Sequence, residues 1–482
     1  MLLLIPLLLP LLGAFIVLLF RGAAKTALLI GAAEIVALGW LMFTTYRRGS
    51  VSFGRYFRAD NLTTVFLASL CIIFALVLVY SSGYLRNLPS ERFSSLRWFY
   101  ALLFLFLFTM LAAYLSSNLG LLWIFMEGTT LASALLVGFY ETEGAVEAGW
   151  KYLVVCTVGL AFALFGTIAL YLAAVKSGVP GSSALDWTSL VAAAPQLSMM
   201  AHLVKLAFVF LLVGYGTKVG FVPLHSWLPD AHAEAPSPIS TMLSATLLNC
   251  AIYALLRYDV IAVRALGAGF SHHLFLLFGG ASILIAGLLM IVQRDLKRLF
   301  AYSSVEHMGI IATGIGLGGP LALFGALLHT FNHSLAKSVL FFAAGNVREN
   351  LGTLRIDRIT GLTRLLPFTT AALILGGLAI VGMPPFALFV SEFAILSGAF
   401  SQAQYLIAVI LLAGLTLAFG ALLLHFLRML GGEPTGALES RRVARTEVAI
   451  LATSALVLLV FGLHVPAQFR TLVEGAIGVL QQ

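Results

Sequence analysis

One stretch of the sequence decides the fold: residues 214–238 read GYGTKVGFVPLHSWLPDAHAEAPSP. The stretch begins inside a long apolar run, so Lys218 lies within that run. Pro223 then breaks the helix. A charged side chain at membrane depth costs about 2.5–3.5 kcal/mol on insertion scales, so such a residue indicates a functional site by default. The stretch therefore predicts a broken membrane helix that carries a buried, functional lysine.

Composition extends this prediction to the whole chain. Of the 482 residues, 61% are hydrophobic and only 10% are charged, and the mean hydropathy is +1.03. These values exclude an ordinary soluble domain, and the apolar runs have about the twenty residues that a spanning helix needs. We therefore predict an all-α polytopic membrane protein. The net charge of +8 lies mostly in short loops, where it orients the chain, so no nucleic-acid partner is expected.

About 14 transmembrane helices follow from these runs. Helices 7 and 12 are both interrupted by proline, the first at Pro223 and the second at residues 382–385, which read GMPP. The predicted spans are 1–20, 25–45, 61–80, 97–115, 118–137, 148–174, 200–223, 238–257, 272–292, 297–317, 320–344, 367–392, 404–428 and 446–464.

The two broken helices also predict an internal repeat. They lie five helices apart, and five is odd, so the two units that contain them have opposite orientation in the membrane. Paired interrupted helices are the best sequence indication of a transport site at the bilayer midplane. The alternative is that both are ordinary proline kinks. We predict N-terminal helices in 1–96, a first five-helix unit in 97–258, an inverted second unit in 272–430 and a C-terminal helix in 431–482.

Loop charge predicts the orientation. Connections after odd-numbered helices carry roughly twice the Lys and Arg of the other connections, so they are expected in the cytoplasm and both termini outside. The basic loop 46–58 argues against this assignment. The cations that decide it are Arg294, Lys297, Arg298, Arg348, Arg355, Arg358, Arg441 and Arg442.

Glu127 is the predicted counter-ion of Lys218. It lies in the middle of an apolar helix with no other charge close by in the sequence. An ion pair would let both groups stay charged in spite of burial, and moving one proton would switch the pair. The alternative is a carboxyl that is hydrogen-bonded for structural reasons alone.

Helix 11 carries a polar stripe at His329, His333 and Lys337, spaced i, i+4 and i+8. These positions lie on one helix face about 6 Å apart, and imidazoles there are suited to relaying protons. Core histidines or a metal site are the alternatives; a metal would need a carboxylate or a third imidazole, and this helix has none. Further relay candidates are Lys205, which could instead reach the membrane surface, and Glu306 and His307.

The linker after Pro223 has metal-ligand residue types at His225, Asp230, His232 and Glu234, but the intervening prolines favour a rigid structural turn. We therefore predict no metal site and no catalytic residue. The sequence contains no phosphate-binding loop, no Cys-x-x-Cys and no nucleophile with a base, so no cofactor is expected in this chain.

Residues 214–238 resemble the signature of the antiporter-like subunits shared by respiratory complex I, Mrp-type cation/proton antiporters and group 4 membrane-bound nickel-iron hydrogenases. The runs DLKRLFAYSSVEHMG (295–309), HTFNHSLAK (329–337) and GMPPFALFVSEF (382–393) support the resemblance. Within the family, the chain resembles most the component F group of hydrogenase-4 complexes. The likeness spans most of the chain and implies fourteen helices with inverted repeats.

The resemblance also implies roles. Glu127 and Lys218 match the carboxylate and lysine of the first unit, and Glu392 matches the exit residue of helix 12. The stripe on helix 11 matches the connection between them. Where several relatives carry a lysine in helix 8, this chain has Asn249, so the central relay would pass through water or through Glu306 and His307. The long lateral helix of one complex I relative is not expected.

The function implied is proton translocation driven by a redox-active partner arm, in a bacterial or archaeal cytoplasmic membrane. Expected partners are other antiporter-like and small helical membrane subunits and a peripheral arm with Fe-S and [NiFe] subunits; the parent complex would be a group 4 [NiFe] hydrogenase, a formate hydrogenlyase or a complex I-like oxidoreductase. An Mrp-type Na⁺/H⁺ antiporter subunit is the main alternative, because the same buried residues would serve it. A quinone-contacting redox subunit and an inert scaffold are the others.

Overall fold

The structure is a computed structural model that describes residues 2–20, 22–85, 93–434 and 445–482. Arg441 and Arg442, which contributed to the predicted orientation, lie outside the described residues. The helices of the first half are α1 Leu4–Leu19, α2 Ala23–Arg48, α3 Asn61–Tyr84, α4 Phe93–Leu115, α5 Leu119–Val137, α6 Glu143–Lys176, α7 Trp187–Leu197, α8 Ala201–Val219, α9 Leu228–Glu234, α10 Ser237–Met242 and α11 Leu248–Leu266.

The second half continues with α12 Ala268–Ile291, α13 Leu296–Leu317, α14 Gly319–Leu351, α15 Leu362–Leu365, α16 Pro367–Ile380, α17 Ala387–Ser401, α18 Tyr405–Leu430, α19 Arg445–Leu463 and α20 Ala467–Leu480. Among the described residues, ten helices are long and apolar enough to cross a membrane. The other predicted spans correspond to α1, to α13 and α14, which carry the polar stripes, and to the two halves α16 and α17. The predicted all-α membrane fold is confirmed.

Both predicted helix breaks are present, and their backbone explains them. The helix α8 ends at Gly220, which adopts the left-handed conformation (φ +84°), and Pro223 follows. The helix α16 ends just before Gly382, which also has positive φ (+65°), and two prolines follow it. Glycine tolerates this conformation without steric cost, and proline cannot donate the hydrogen bond that would continue the helix.

The helix α14 lies at the centre of the molecule. Every residue from Gly325 to Val347 is buried, and the helix packs against α3, α10, α13, α16, α17 and α19. The hydroxyl of Tyr80 on α3 donates to the carbonyl of Phe342 and to Asn346 Oδ1. Because α14 is enclosed on all sides, its polar side chains must find partners inside the protein or remain unpaired.

Three local features of the structure were not predicted. The basic loop after helix 2 contains a β-hairpin, in which β1 (Ser50–Phe53) pairs antiparallel with β2 (Phe57–Asp60). The linker 223–238 is partly helical, since it contains α9 and the first two residues of α10. A last helix, α20, packs on α3 and α14 and was not anticipated.

The eighth span also ends later than predicted. Rather than stopping at Arg257, the helix continues to Leu266, and a π-helical segment at Leu243–Leu247 joins α10 to α11. Arg257 is buried and forms an ion pair with Asp60 at 2.7 Å. Burial alone would raise the pKa of Asp60, but the charge and hydrogen bond of Arg257 outweigh it and hold that pKa below its usual range. The pair ties the end of the hairpin to the helical core.

Candidate functional site

Lys218 is fully buried in the last turn of α8, with 0% of its surface exposed. Its Nζ donates to Thr130 Oγ1 on α5 at 2.6 Å and to the Tyr152 hydroxyl on α6 at 2.8 Å. It also lies 5.0 Å from the centre of the Tyr152 ring. The ammonium therefore rests on two neutral hydroxyls and an aromatic ring rather than on a carboxylate.

Close packing of α6 against α8 positions this lysine. A Cβ at Gly214 would lie only 2.7 Å from the carbonyl oxygen of Gly159, so the two helices can approach this closely only without side chains there. Beyond the break, the indole of Trp227 donates to the carbonyl of Thr217 at 2.8 Å and packs on Tyr152 with ring centres 4.6 Å apart. The segment after the break thus packs against the residues that surround Lys218.

The predicted direct ion pair between Glu127 and Lys218 is not formed. Glu127 is partly exposed, and its Oε1 accepts a hydrogen bond from Thr157 Oγ1 at 2.7 Å. Instead of Glu127, Thr130 of the same helix meets the ammonium, together with Tyr152 from α6. The sequence missed this because hydroxyl partners are too common in membrane helices to stand out.

Lys205 lies away from the buried lysine. It is exposed, and its Nζ lies 5.6 Å from the centre of the Phe270 ring. Thirteen residues separate it from Lys218 on the same helix, which is about 20 Å along the axis. Lys205 is therefore exposed in the way expected of a side chain that reaches the membrane surface. It does not lie near Lys218.

The second cluster of polar side chains surrounds the stripe on α14. His329 Nε2 lies 2.9 Å from Nδ1 of His307 on α13, and its Nδ1 lies 3.0 Å from Ser391 Oγ on α17. The ring of His333 lies 5.3 Å from that of His307. Lys337 donates to the carbonyl of Phe300 at 2.8 Å. The predicted stripe is thus joined by His307 from a neighbouring helix.

Several atoms of this cluster have no hydrogen-bond partner among the described residues. They are both ring nitrogens of His333, both carboxyl oxygens of Glu306 and Oε1 of Glu392. All three side chains are buried. Unpaired buried polar atoms are costly, so their concentration here points to a functional role or to water.

Glu392 lies against the second helix break. A Cβ at Gly382 would overlap its carboxylate, so only glycine leaves room for that group. The neighbouring residues 383–385 are exposed, whereas Glu392 is only 7% exposed. The carboxylate therefore lies between the buried cluster and the exposed residues of the second helix break.

Asn249 is buried on α11 and bonds to α14. Its side-chain amide donates to the carbonyls of Ala245 and Thr330 and to Ser334 Oγ, at 2.9 to 3.1 Å. Thr330 and Ser334 belong to α14, so Asn249 fastens α11 to the helix that carries the histidines. An amide at this position bridges the helices without carrying a charge.

Two residues that the sequence assigned to an orienting loop charge and to the linker, Lys297 and His232, are buried in this region. Lys297 is fully buried and donates to the carbonyl of Ala235 at 2.6 Å and to Ser240 Oγ at 3.2 Å. His232 is also fully buried, stacks on Phe341 at 5.1 Å, and has no partner for either nitrogen among the described residues. Lys297 lies two residues after Asp295, which caps α13. In the sequence, a lysine at the start of a helix resembles an ordinary loop cation.

The linker residues do not gather into a metal site. Asp230 forms ion pairs with Lys151 and Arg298, at 2.5 and 2.6 Å, while His232 is turned into the core. These contacts favour the structural interpretation of the linker.

Comparison with known proteins agrees with the geometry. The family described as NADH:quinone oxidoreductase/Mrp antiporter, TM, matches residues 116–418. The chain belongs to this family. The matched region contains both broken helices and the whole of α14, and the resemblance inferred from the sequence is confirmed.

Individual relatives show which members of the family this chain resembles. The antiporter-like subunit is 44% identical to the hydrogenase-4 component F homolog of Methylacidiphilum infernorum (isolate V4) over 389 residues, which are 80% of each chain. Two solved structures share the fold. One is the membrane-bound sulfane sulfur reductase, an archaeal respiratory membrane complex (TM-score 0.87, 23% identity, 100% of this chain and 98% of that one). The other is the Mrp complex from Dietzia sp. DQ12-45-1b (TM-score 0.85, 20% identity, 99% and 98%).

This antiporter-like subunit is therefore a multi-pass integral membrane protein. Its relatives are subunits of multisubunit membrane complexes, so its immediate partners are other membrane subunits.

Proposed function

We propose that this subunit moves protons across the membrane as part of a redox-driven complex of the group 4 [NiFe] hydrogenase, formate hydrogenlyase or complex I-like type. The observation that carries the proposal is Lys218: a fully buried ammonium at a helix break that, among the described residues, donates to Thr130 and Tyr152. A lysine held by neutral groups can give up its proton without leaving a buried carboxylate unpaired. It can thus alternate between two protonation states at modest cost.

The first step is the response of Lys218 to charge. A redox reaction in the partner arm would alter the electric field along the membrane arm and shift the balance between Glu127 and Lys218. These two groups do not touch, so the coupling acts through space and through Tyr152, whose ring and hydroxyl face the lysine. Low dielectric inside the protein strengthens such coupling.

The second step carries a proton along α14. Lys337, His333 and His329 offer successive donor and acceptor atoms, and His307 and Glu306 lie beside them. The route ends at Glu392 at the second helix break. Since Asn249 cannot carry a proton as an ammonium, the connection from Lys218 to this file would run through ordered water beside it.

The architecture proposed for this route has two inverted five-helix units, in 97–258 and 272–430, with the helices of 1–96 and 431–482 around them. Each helix break opens its own half to the opposite side of a bacterial or archaeal cytoplasmic membrane, with both termini outside. The redox chemistry would belong to a peripheral arm that holds Fe-S and [NiFe] subunits.

The experiment is Lys218→Met in the assembled complex reconstituted into liposomes. We expect redox turnover to continue while proton transport falls by about 10²-fold or more, the usual contribution of a positioned proton-transfer group. Lys205→Met is the matched control, because it removes an exposed lysine from the same helix. Normal proton transport by a fully assembled Lys218→Met complex would refute the relay. If transport instead follows a sodium gradient in the wild type, Na⁺/H⁺ exchange replaces redox-driven proton pumping as the function.

A further inference from the structure

Three potential metal ligands meet where α13, α14 and α17 converge. His307, His329 and Glu392 each offer one donor atom, and these atoms all lie within 4.8 Å of one another. All three side chains are buried. The sequence argued against a metal because the predicted helix 320–344 has no carboxylate or third imidazole beside His329 and His333, whereas the fold supplies both from neighbouring helices.

The hydrogen bonds around His329 leave the lone pair of its Nε2 directed to this site. Ser391 Oγ donates to the carbonyl of Leu388 at 2.9 Å, so it accepts from Nδ1–H of His329 at 3.0 Å. His329 then has its lone pair on Nε2, where it accepts from Nδ1–H of His307 at 2.9 Å. This assignment follows from the hydrogen-bond network. Metal-binding imidazoles usually donate the N–H of their other ring nitrogen to an acceptor that fixes the tautomer, and here the acceptor is the Ser391 hydroxyl.

Glu392 supplies a carboxylate oxygen that is still free. Its Oε1 has no hydrogen-bond partner among the described residues. The exposed residues 383–385 adjoin it across Gly382, so an ion would have only a short distance to travel from the surface of the chain. Both nitrogens of His333 are also unpaired, and its ring lies beside that of His307, which makes a further imidazole available.

We propose that His307, His329 and Glu392 form a binding site for a single divalent transition-metal ion of the Zn²⁺ type. Two imidazoles and a carboxylate are a donor set that Zn²⁺ prefers, with a fourth position left for water or for His333. The ion takes the place of the hydrogen bond between His307 and His329: one M²⁺ enters and the proton of His307 moves from Nδ1 to Nε2, so both imidazoles bind as neutral ligands and no proton is released. Insertion requires the donors to draw together, since zinc–ligand bonds are only about 2.0–2.2 Å long.

A bound ion would also block the route along α14, a consequence that rests on the proposed function. The 2.9 Å contact between His307 and His329 can hold either a proton or a metal, but not both. Occupation by Zn²⁺ would therefore stop proton transfer to Glu392 while leaving Lys218 and its partners unchanged.

The test uses Co²⁺ as a spectroscopic probe on the full chain in nanodiscs. We expect one Co²⁺ per chain with the visible absorption of a four-coordinate ion, displaced by one equivalent of Zn²⁺. His329→Gln and Glu392→Gln should each abolish that absorption, and Ser391→Ala should weaken Co²⁺ binding about 10- to 100-fold as a lost supporting contact. His202→Gln, which removes an exposed histidine, should bind as the wild type does.

Two results would overturn the site: no Co²⁺ absorption in the wild type, or the same absorption in His329→Gln, Ser391→Ala and wild type. If a variant of a metal ligand fails to fold, Co²⁺ binding by Ser391→Ala still tests the site. Transport is measured separately with Zn²⁺ added to liposomes. Binding that leaves proton transport unchanged would retain the metal site and refute the proposed proton route, so the two failures are distinguishable.

Discussion

Lys218 donates to the hydroxyl of Tyr152 over 2.8 Å, and that hydroxyl is one of the two oxygens in contact with the buried ammonium. The same hydroxyl lies 2.7 Å from Ser133 Oγ. A buried charge that rests on so few partners is sensitive to the loss of either one, because the remaining hydrogen bond cannot replace the lost solvation.

Tyr152→Phe should therefore destabilise the protein by about 1.5–3 kcal/mol, the range for hydrogen bonds to charged groups. Tyr258→Phe is the matched control, because its buried hydroxyl bonds to the neutral Thr167 at 2.8 Å; its expected cost is about 0.5–1.5 kcal/mol. Denaturant unfolding in detergent measures both. If Tyr152→Phe costs as much in a Lys218→Met background as in the wild type, the two residues are not coupled.

Gly214→Ala should separate α6 from α8 and move Lys218 away from Tyr152. Its Cβ would press on the backbone of α6, which cannot turn aside as a flexible side chain would. Overpacking of this kind typically costs about 1–3 kcal/mol, and proton transport should fall with stability. Gly39→Ala on α2, where a Cβ meets nothing within 4 Å, should leave transport unchanged and raise stability by about 0.5–1 kcal/mol, because alanine favours the helix. Equal behaviour of the two variants would show that the close approach has no role.

Gly382→Ala should impair proton transport by displacing the carboxylate of Glu392. Gly352→Ala is a matched control: its φ is +67° against +65° for Gly382, but a Cβ there meets nothing within 4 Å. Both variants pay the cost of a left-handed alanine, about 1–2 kcal/mol. Only Gly382→Ala should lower transport in liposomes, and a similar loss in Gly352→Ala would assign the effect to backbone strain.

Asp60→Asn should destabilise the protein strongly, by about 3–5 kcal/mol, since it leaves Arg257 buried without its counter-charge. Asp60 also accepts from the backbone N–H of Thr63 and so caps α3. Asp357→Asn is the control, because the Arg355–Asp357 pair is exposed and exposed pairs contribute little. Thermal unfolding in detergent at neutral pH compares the two.

The same pair predicts a pH dependence. Arg257 lowers the folded-state pKa of Asp60, so its stabilising contribution is complete above the unfolded pKa of about 3.9 and disappears as the pH falls through the lower folded value. Wild-type protein should therefore lose this contribution only in strong acid. Asp60→Asn should lack that acid-induced loss, and an identical dependence of the unfolding midpoint on pH in both proteins would contradict the assignment.

The sequence by itself determined the membrane class, the positions of the long apolar helices and the two breaks. Apolar runs of about twenty residues have one stable solution in a bilayer, and Pro223 and the residues 382–385 interrupt a helix for reasons of local backbone chemistry. The stripe His329, His333 and Lys337 was equally predictable, because helical spacing fixes which residues share a face.

Only the tertiary structure decided which groups from different helices meet. Lys218 donates to Tyr152 and Thr130 instead of pairing with Glu127. The close packing of α6 on α8 determines which groups it meets. His307, His329 and Glu392 come from three helices and converge although no spacing in the sequence links them. Periodicity describes one helix at a time, whereas the contacts of a buried polar group depend on how neighbouring helices pack around it.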